Sequence, residues 1–139
     1  MSFEEKGKWL YAVIAVVLPA IYFATIIPQL SDTAVADIEY QGPLLLTIGA
    51  AIVLTIAGMI VIGISSPDDA GTSDQRDKEI DRFGEYVGGF VLALGMIVPF
   101  ALALAEFQQF WIANAMYLAF SLAAVVGTTA KLVAYRRGL

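Results

Sequence analysis

Apolar residues fall into four long blocks with short polar stretches between them. The first runs from about Trp9 to Gln29, the second from about Leu44 to Ile64, the third from about Tyr86 to Ala105, and the fourth from Trp111 to about Tyr135. A helix of about twenty residues, rising about 1.5 Å per residue, crosses a hydrocarbon core of about 30 Å. Lipid offers the backbone no hydrogen-bond partners, so blocks of this kind cross it as helices. The pattern predicts an all-α, polytopic membrane protein. A single domain over 1–139 forms a four-transmembrane-helix bundle with a connecting loop at about 65–85.

Proline and glycine punctuate the blocks. Pro19 lies in the middle of the first and predicts a kink unless a neighbour satisfies the freed carbonyl. Pro43 opens the second, where Thr47, Ala51, Thr55 and Gly58 share a face small enough for another helix to approach. Gly84 and Gly88 resemble a helix-association motif at the edge of the third block, which also carries Gly95 and Pro99. Lys6 and Lys8 before the first block, and Ala34-Val35-Ala36 after it, resemble the flanks of a signal peptide. The apolar run exceeds a usual signal core, so an uncleaved span is expected. Phe3, Glu5 and Pro19 recur in register as Phe83, Glu85 and Pro99, a coincidence at the level of chance.

The charges orient the blocks. The chain holds 8 Lys and Arg. Lys6 and Lys8 precede the first block, Arg76, Lys78 and Arg82 separate the second from the third, and Lys131, Arg136 and Arg137 close the fourth. All lie on one side of a four-span arrangement, which the positive-inside rule makes cytoplasmic, with both termini inside and the plasma (inner) membrane as the location. Trp9, Tyr86 and Tyr135 are then expected at the inner boundary, and Tyr40 and Trp111 at the outer one, where amphipathic rings prefer to sit.

Composition narrows the chemistry. Residues are 59% hydrophobic and 15% charged, against about a quarter charged in soluble domains. A net charge of −5 opposes nucleic-acid binding, which needs a basic face. With 0 Cys and 0 His, thiolate nucleophiles, Cys-ligated clusters, histidine-ligated metals and histidine bases are excluded. No catalytic residue, cofactor or metal site is expected. A Ser–Lys pair from Ser121 and Lys131 would be separated by about 15 Å of helix.

Two groups of residues stand out. The run Arg76-Asp77-Lys78-Glu79-Ile80-Asp81-Arg82-Phe83-Gly84-Glu85 is the densest in charge. Its helical spacing fits an amphipathic start to the third span, carrying salt bridges of modest worth. The sharper reading is a partner-docking surface made by Arg76, Asp77, Lys78, Glu79, Asp81 and Arg82. The other group is a polar stripe. On the fourth block Asn114, Tyr117, Ser121, Thr128 and Lys131 share one face, beside Ala115, Ala119, Ala123 and Gly127 on the next. Tyr11, Tyr22, Thr25 and Gln29 offer a similar set on the first. Such stripes turn inward, as interhelical hydrogen bonds or as a polar path between spans one and four. Lys131 is expected to snorkel, or to pair with Glu85 or Asp81.

Arg76-Asp77-Lys78-Glu79-Ile80, Phe110-Trp111-Ile112-Ala113-Asn114-Ala115 and Tyr135-Arg136-Arg137-Gly138 resemble a group of small bacterial four-span membrane proteins of unknown function. The resemblance covers roughly the second half. It implies a bacterial plasma-membrane location and no active site. Small four-span exporters are similar only in size, since they carry a carboxylate inside the first span and this chain has none there. The expectation is a non-enzymatic membrane protein acting as an accessory, assembly or regulatory partner. The alternative is a small oligomeric transporter or channel built on the polar stripes. The partners expected are the lipid bilayer and either another membrane protein or a second copy of this chain.

Overall fold

A computed structural model describes residues 1–138, and among them every regular element is helical. Helix α1 spans Phe3–Ile26, α2 Gln29–Asp32, α3 Gln41–Ser65, α4 Gln75–Gly95, α5 Ile97–Leu104 and α6 Gln109–Arg137. Four helical stretches, Phe3–Asp32, Gln41–Ser65, Gln75–Leu104 and Gln109–Arg137, are long and apolar enough to cross a membrane. They cover the four apolar blocks of the sequence, save Ala105 at the end of the third, and extend past the other ends. Helix α1 runs through Pro19 without interruption.

The charged run belongs to α4, as its helical spacing suggested, and residues 66–74 connect α3 to it. Asp74 sets that boundary. Its carboxylate accepts the Asp77 N–H at 2.8 Å, and the Asp77 carboxylate accepts the Asp74 N–H at 3.0 Å. This reciprocal capping satisfies two amides that would otherwise be orphaned and starts α4 at Gln75. The third apolar block is divided in two. Pro99 cannot donate to the carbonyl of Gly95, and its ring crowds that carbonyl, so α4 ends there and α5 resumes at Ile97. Glu106 then takes a left-handed φ of 55°. The Glu106 N–H reaches Ala103 O at 3.1 Å and the Phe107 N–H reaches Leu102 O at 3.0 Å, which closes the short turn into α6.

Helix α6 is the hub. It packs along α4 and α5 on one side and along α1 on the other, while α3 packs mainly on α1. The helices thus lie in the order α3, α1, α6, α4–α5, and α3 has no fully buried residue. Glycine sets the two tight seams. On α4, Gly84 and Gly88 face Gly127 and Ala123 of α6 so closely that a Cβ on Gly127 would lie 2.9 Å from Gly84 O and 3.2 Å from Gly88 Cα. The Gly84–Gly88 pair therefore lies in a close helix contact, as the motif suggested. On the other side Gly58 of α3 receives the Leu10 side chain, and Gly7 of α1 receives Met59.

The buried cluster lies at the end opposite the basic residues. It joins Tyr22, Ile26, Ile38, Tyr40 and Phe110. Two of its members come from the connection between α1 and α3. Ile38 and Tyr40 fold under the helix ends, only 4% and 8% exposed. Tyr40 meets Phe110 edge to face at 5.2 Å, so its ring is part of the core.

Candidate functional site

Near this cluster the polar stripes of α1 and α6 meet at one hydrogen bond. The Tyr22 hydroxyl donates to Asn114 Oδ1 at 2.6 Å, and Asn114 Nδ2 donates to Phe110 O at 2.8 Å. Tyr22 is 1% exposed and Asn114 8%. Tyr117 and Phe23 close around the pair, with ring centroids 5.2 Å and 5.1 Å from that of Tyr22. A buried amide and phenol each needing a partner thus supply one another.

Tyr117 apart, the other stripe members do not extend this contact. Thr25 donates to Tyr22 O, Gln29 to Thr25 O and Ser121 to Tyr117 O, each bonding back into its own helix. Thr25 and Gln29 therefore stand apart from the expected seam. Tyr11, Tyr117 and Ser121 line an open-sided cleft of about 430 Å³ between α1, α3 and α6, whose walls include Ile14, Leu18, Ile52 and Phe120. Thr128, buried, lines a smaller cleft with Gly84, Gly88 and Lys131.

At the opposite end Lys6, Lys8, Arg76, Lys131 and Arg136 are woven into the helix ends. Asp81 Oδ1 lies 3.0 Å from Lys8 Nζ and 3.1 Å from Lys131 Nζ, so one carboxylate joins α1, α4 and α6. Lys8 also pairs with Glu4 at 3.1 Å. Asp81 lies in the polar first turns of α4, ahead of its apolar stretch. Burial there pushes its carboxyl up, but contact with Lys8 and Lys131 outweighs this and holds it below the usual carboxylate value. One turn earlier, the Tyr135 hydroxyl donates to Asp77 Oδ1 at 2.6 Å, and Arg76 donates to Tyr135 O at 3.0 Å with its guanidinium over the ring. Arg136 stacks 5.4 Å from the Trp9 ring centroid, and Lys6 donates to Ser66 Oγ at 2.7 Å.

This network divides the expected docking surface. Asp77 and Asp81 point between helices, and Arg76 covers Tyr135. Lys78, Glu79 and Arg82 are exposed, along with Glu85. Sequence reading missed Lys8 as a partner of Asp81, and Tyr135 as a partner of Asp77. A signal was present. Asp77 and Asp81 are one turn apart on α4, as are Lys131 and Tyr135 on α6, and two antiparallel helices in register pair those positions.

These contacts define an all-helical protein with four helices able to span a membrane and two polar ties, one towards each end. Among the described residues, no group of three or more carboxylates forms a metal site. No family model, curated protein or solved structure matches this chain.

Proposed function

We propose that the chain is a multi-pass protein of the plasma membrane, with both termini and the α3–α4 connection in the cytoplasm. It works there as a non-enzymatic accessory, assembly or regulatory partner of another membrane protein. The orientation rests on the basic residues, which are gathered at one end through Lys8 and Lys131 on Asp81, Lys6 on Ser66 and Arg136 on Trp9. The observation that carries the role is how the polar side chains of α1 and α6 are used. Tyr22 and Asn114 close on each other, and Thr25, Gln29 and Ser121 close on their own backbones. Groups bonded in this way serve as glue between or within helices and offer solutes no continuous path. The surface left to a partner is the exposed face of α4 bearing Lys78, Glu79 and Arg82.

The test is a photo-crosslinking residue placed at Glu79, at Arg82 and, as a control, at Glu39 in intact cells. A discrete adduct with a second membrane protein from the first two positions, and none from the third, is the expected result. Solute flux through proteoliposomes that Asn114→Leu abolishes would replace this reading with the transporter one.

A further inference from the structure

The close approach of α4 and α6 shapes a second surface feature. Gly84, Gly88 and Gly127 bring the two backbones together, so the larger side chains flanking them stand up as walls. Between those walls runs a groove of about 480 Å³, lined by Phe83, Val87, Val126, Ala130, Val133 and, at its rim, Arg137. From Val125 to Arg137 it follows α6 for about 18 Å, the reach of about fourteen methylenes of an extended chain. Its floor is apolar and its one charged lining residue is a cation at the mouth.

That cation is uncommitted. Lys8 and Lys131 are held by Asp81, Lys6 by Ser66, Arg136 by Trp9 and Arg76 by Tyr135. Among the described residues, no hydrogen bond, ion pair or ring contact engages the Arg137 side chain. A guanidinium at the end of a membrane helix, above a groove of acyl length, complements a phosphate bearing an acyl chain.

We propose that this groove is a binding site for one anionic glycerophospholipid. One acyl chain lies along Val87, Val126 and Ala130, and the phosphate is paired with Arg137. The site rests on the membrane reading but not on which side the charged end faces, because both leaflets of a nanodisc present the same lipids. Its failure therefore leaves the proposed function standing.

The test is native mass spectrometry of the full chain released from nanodiscs containing equal amounts of phosphatidylglycerol and phosphatidylethanolamine. One retained phosphatidylglycerol per chain is expected. Arg137→Gln should lower its retention about fivefold, and Ala130→Trp, which fills the groove without altering charge, should lower it comparably. Lys78→Gln removes the same charge from the same end outside the groove and should leave retention unchanged. Equal losses in Arg137→Gln and Lys78→Gln would reduce the effect to diffuse attraction and overturn the site. So would retention unaffected by Ala130→Trp in a variant that keeps its helicity and melting temperature. A Val126→Cys disulfide dimer forming quantitatively in the same nanodiscs would assign the groove to a second copy instead, and also overturn it.

Discussion

Tyr22 and Asn114, 92 residues apart in the chain, are joined by a 2.6 Å hydrogen bond that ties α1 to α6. Tyr22→Phe and Asn114→Leu should each destabilise the protein by about half to one and a half kcal/mol, and the double variant by less than the sum of the two. Thermal unfolding in nanodiscs measures this. Strict additivity would mean that the two side chains do not depend on each other.

The α4–α6 seam should be intolerant of a single methyl group. At Gly127 a Cβ meets backbone atoms of Gly84 and Gly88, which cannot rotate aside. Gly127→Ala should therefore cost about 1–3 kcal/mol. At Gly49, on the open face of α3, a Cβ meets nothing within 4 Å. Gly49→Ala should be neutral, or stabilise by up to about 1 kcal/mol through helix propensity. A reversed order of the two variants would contradict the packing.

Asp81 should make stability depend on acid pH. Its folded pKa lies below the ordinary value of 3.8. Its stabilising contribution is thus complete above that value and lost as pH falls through the lower, folded one. Asp81→Asn should lower stability at neutral pH and flatten the acid limb of a melting-temperature profile. The loss should stay below about 3 kcal/mol because the carboxylate is not fully buried. An unchanged acid limb would remove Asp81 as its source.

Single cysteines at Thr33 and Ser73 should label from opposite sides of intact cells, Thr33 from outside and Ser73 only after permeabilisation. These positions lie in the two connections at opposite ends of α3. Labelling of both by an impermeant reagent would refute the orientation drawn from the basic residues.

Proton-driven accumulation of solute should not occur. Such coupling uses an ionisable group held within a span, with a pKa shifted by burial and by substrate. Glu85 and Glu106, at the two ends of the third apolar block, are both exposed. Proteoliposomes under an imposed pH gradient should behave alike for wild type, Glu85→Gln and Glu106→Gln. Gradient-dependent uptake abolished by either substitution would show that an end-of-helix carboxylate does transport chemistry.

The number of long helices and the grouping of the charges were legible in the sequence. Backbone in lipid must be helical, and Lys, Arg, Asp and Glu must stay at helix ends, so four apolar blocks and one-sided basic residues leave little freedom. Part of the seam was legible for the same reason. Asn114 and Tyr22 carry polar groups that an apolar setting forces to seek partners. Their mutual pairing was not, because Thr25 and Gln29 offered similar groups on α1 and bonded to their own backbone instead. The order of the helices was also decided only in three dimensions. In a largely apolar chain the two faces of a span differ little in polarity, so neighbours are selected by shape. Gly127 against Gly84 and Gly88 chooses α4 for α6, Leu10 against Gly58 chooses α3 for α1, and no periodicity in hydropathy records either choice.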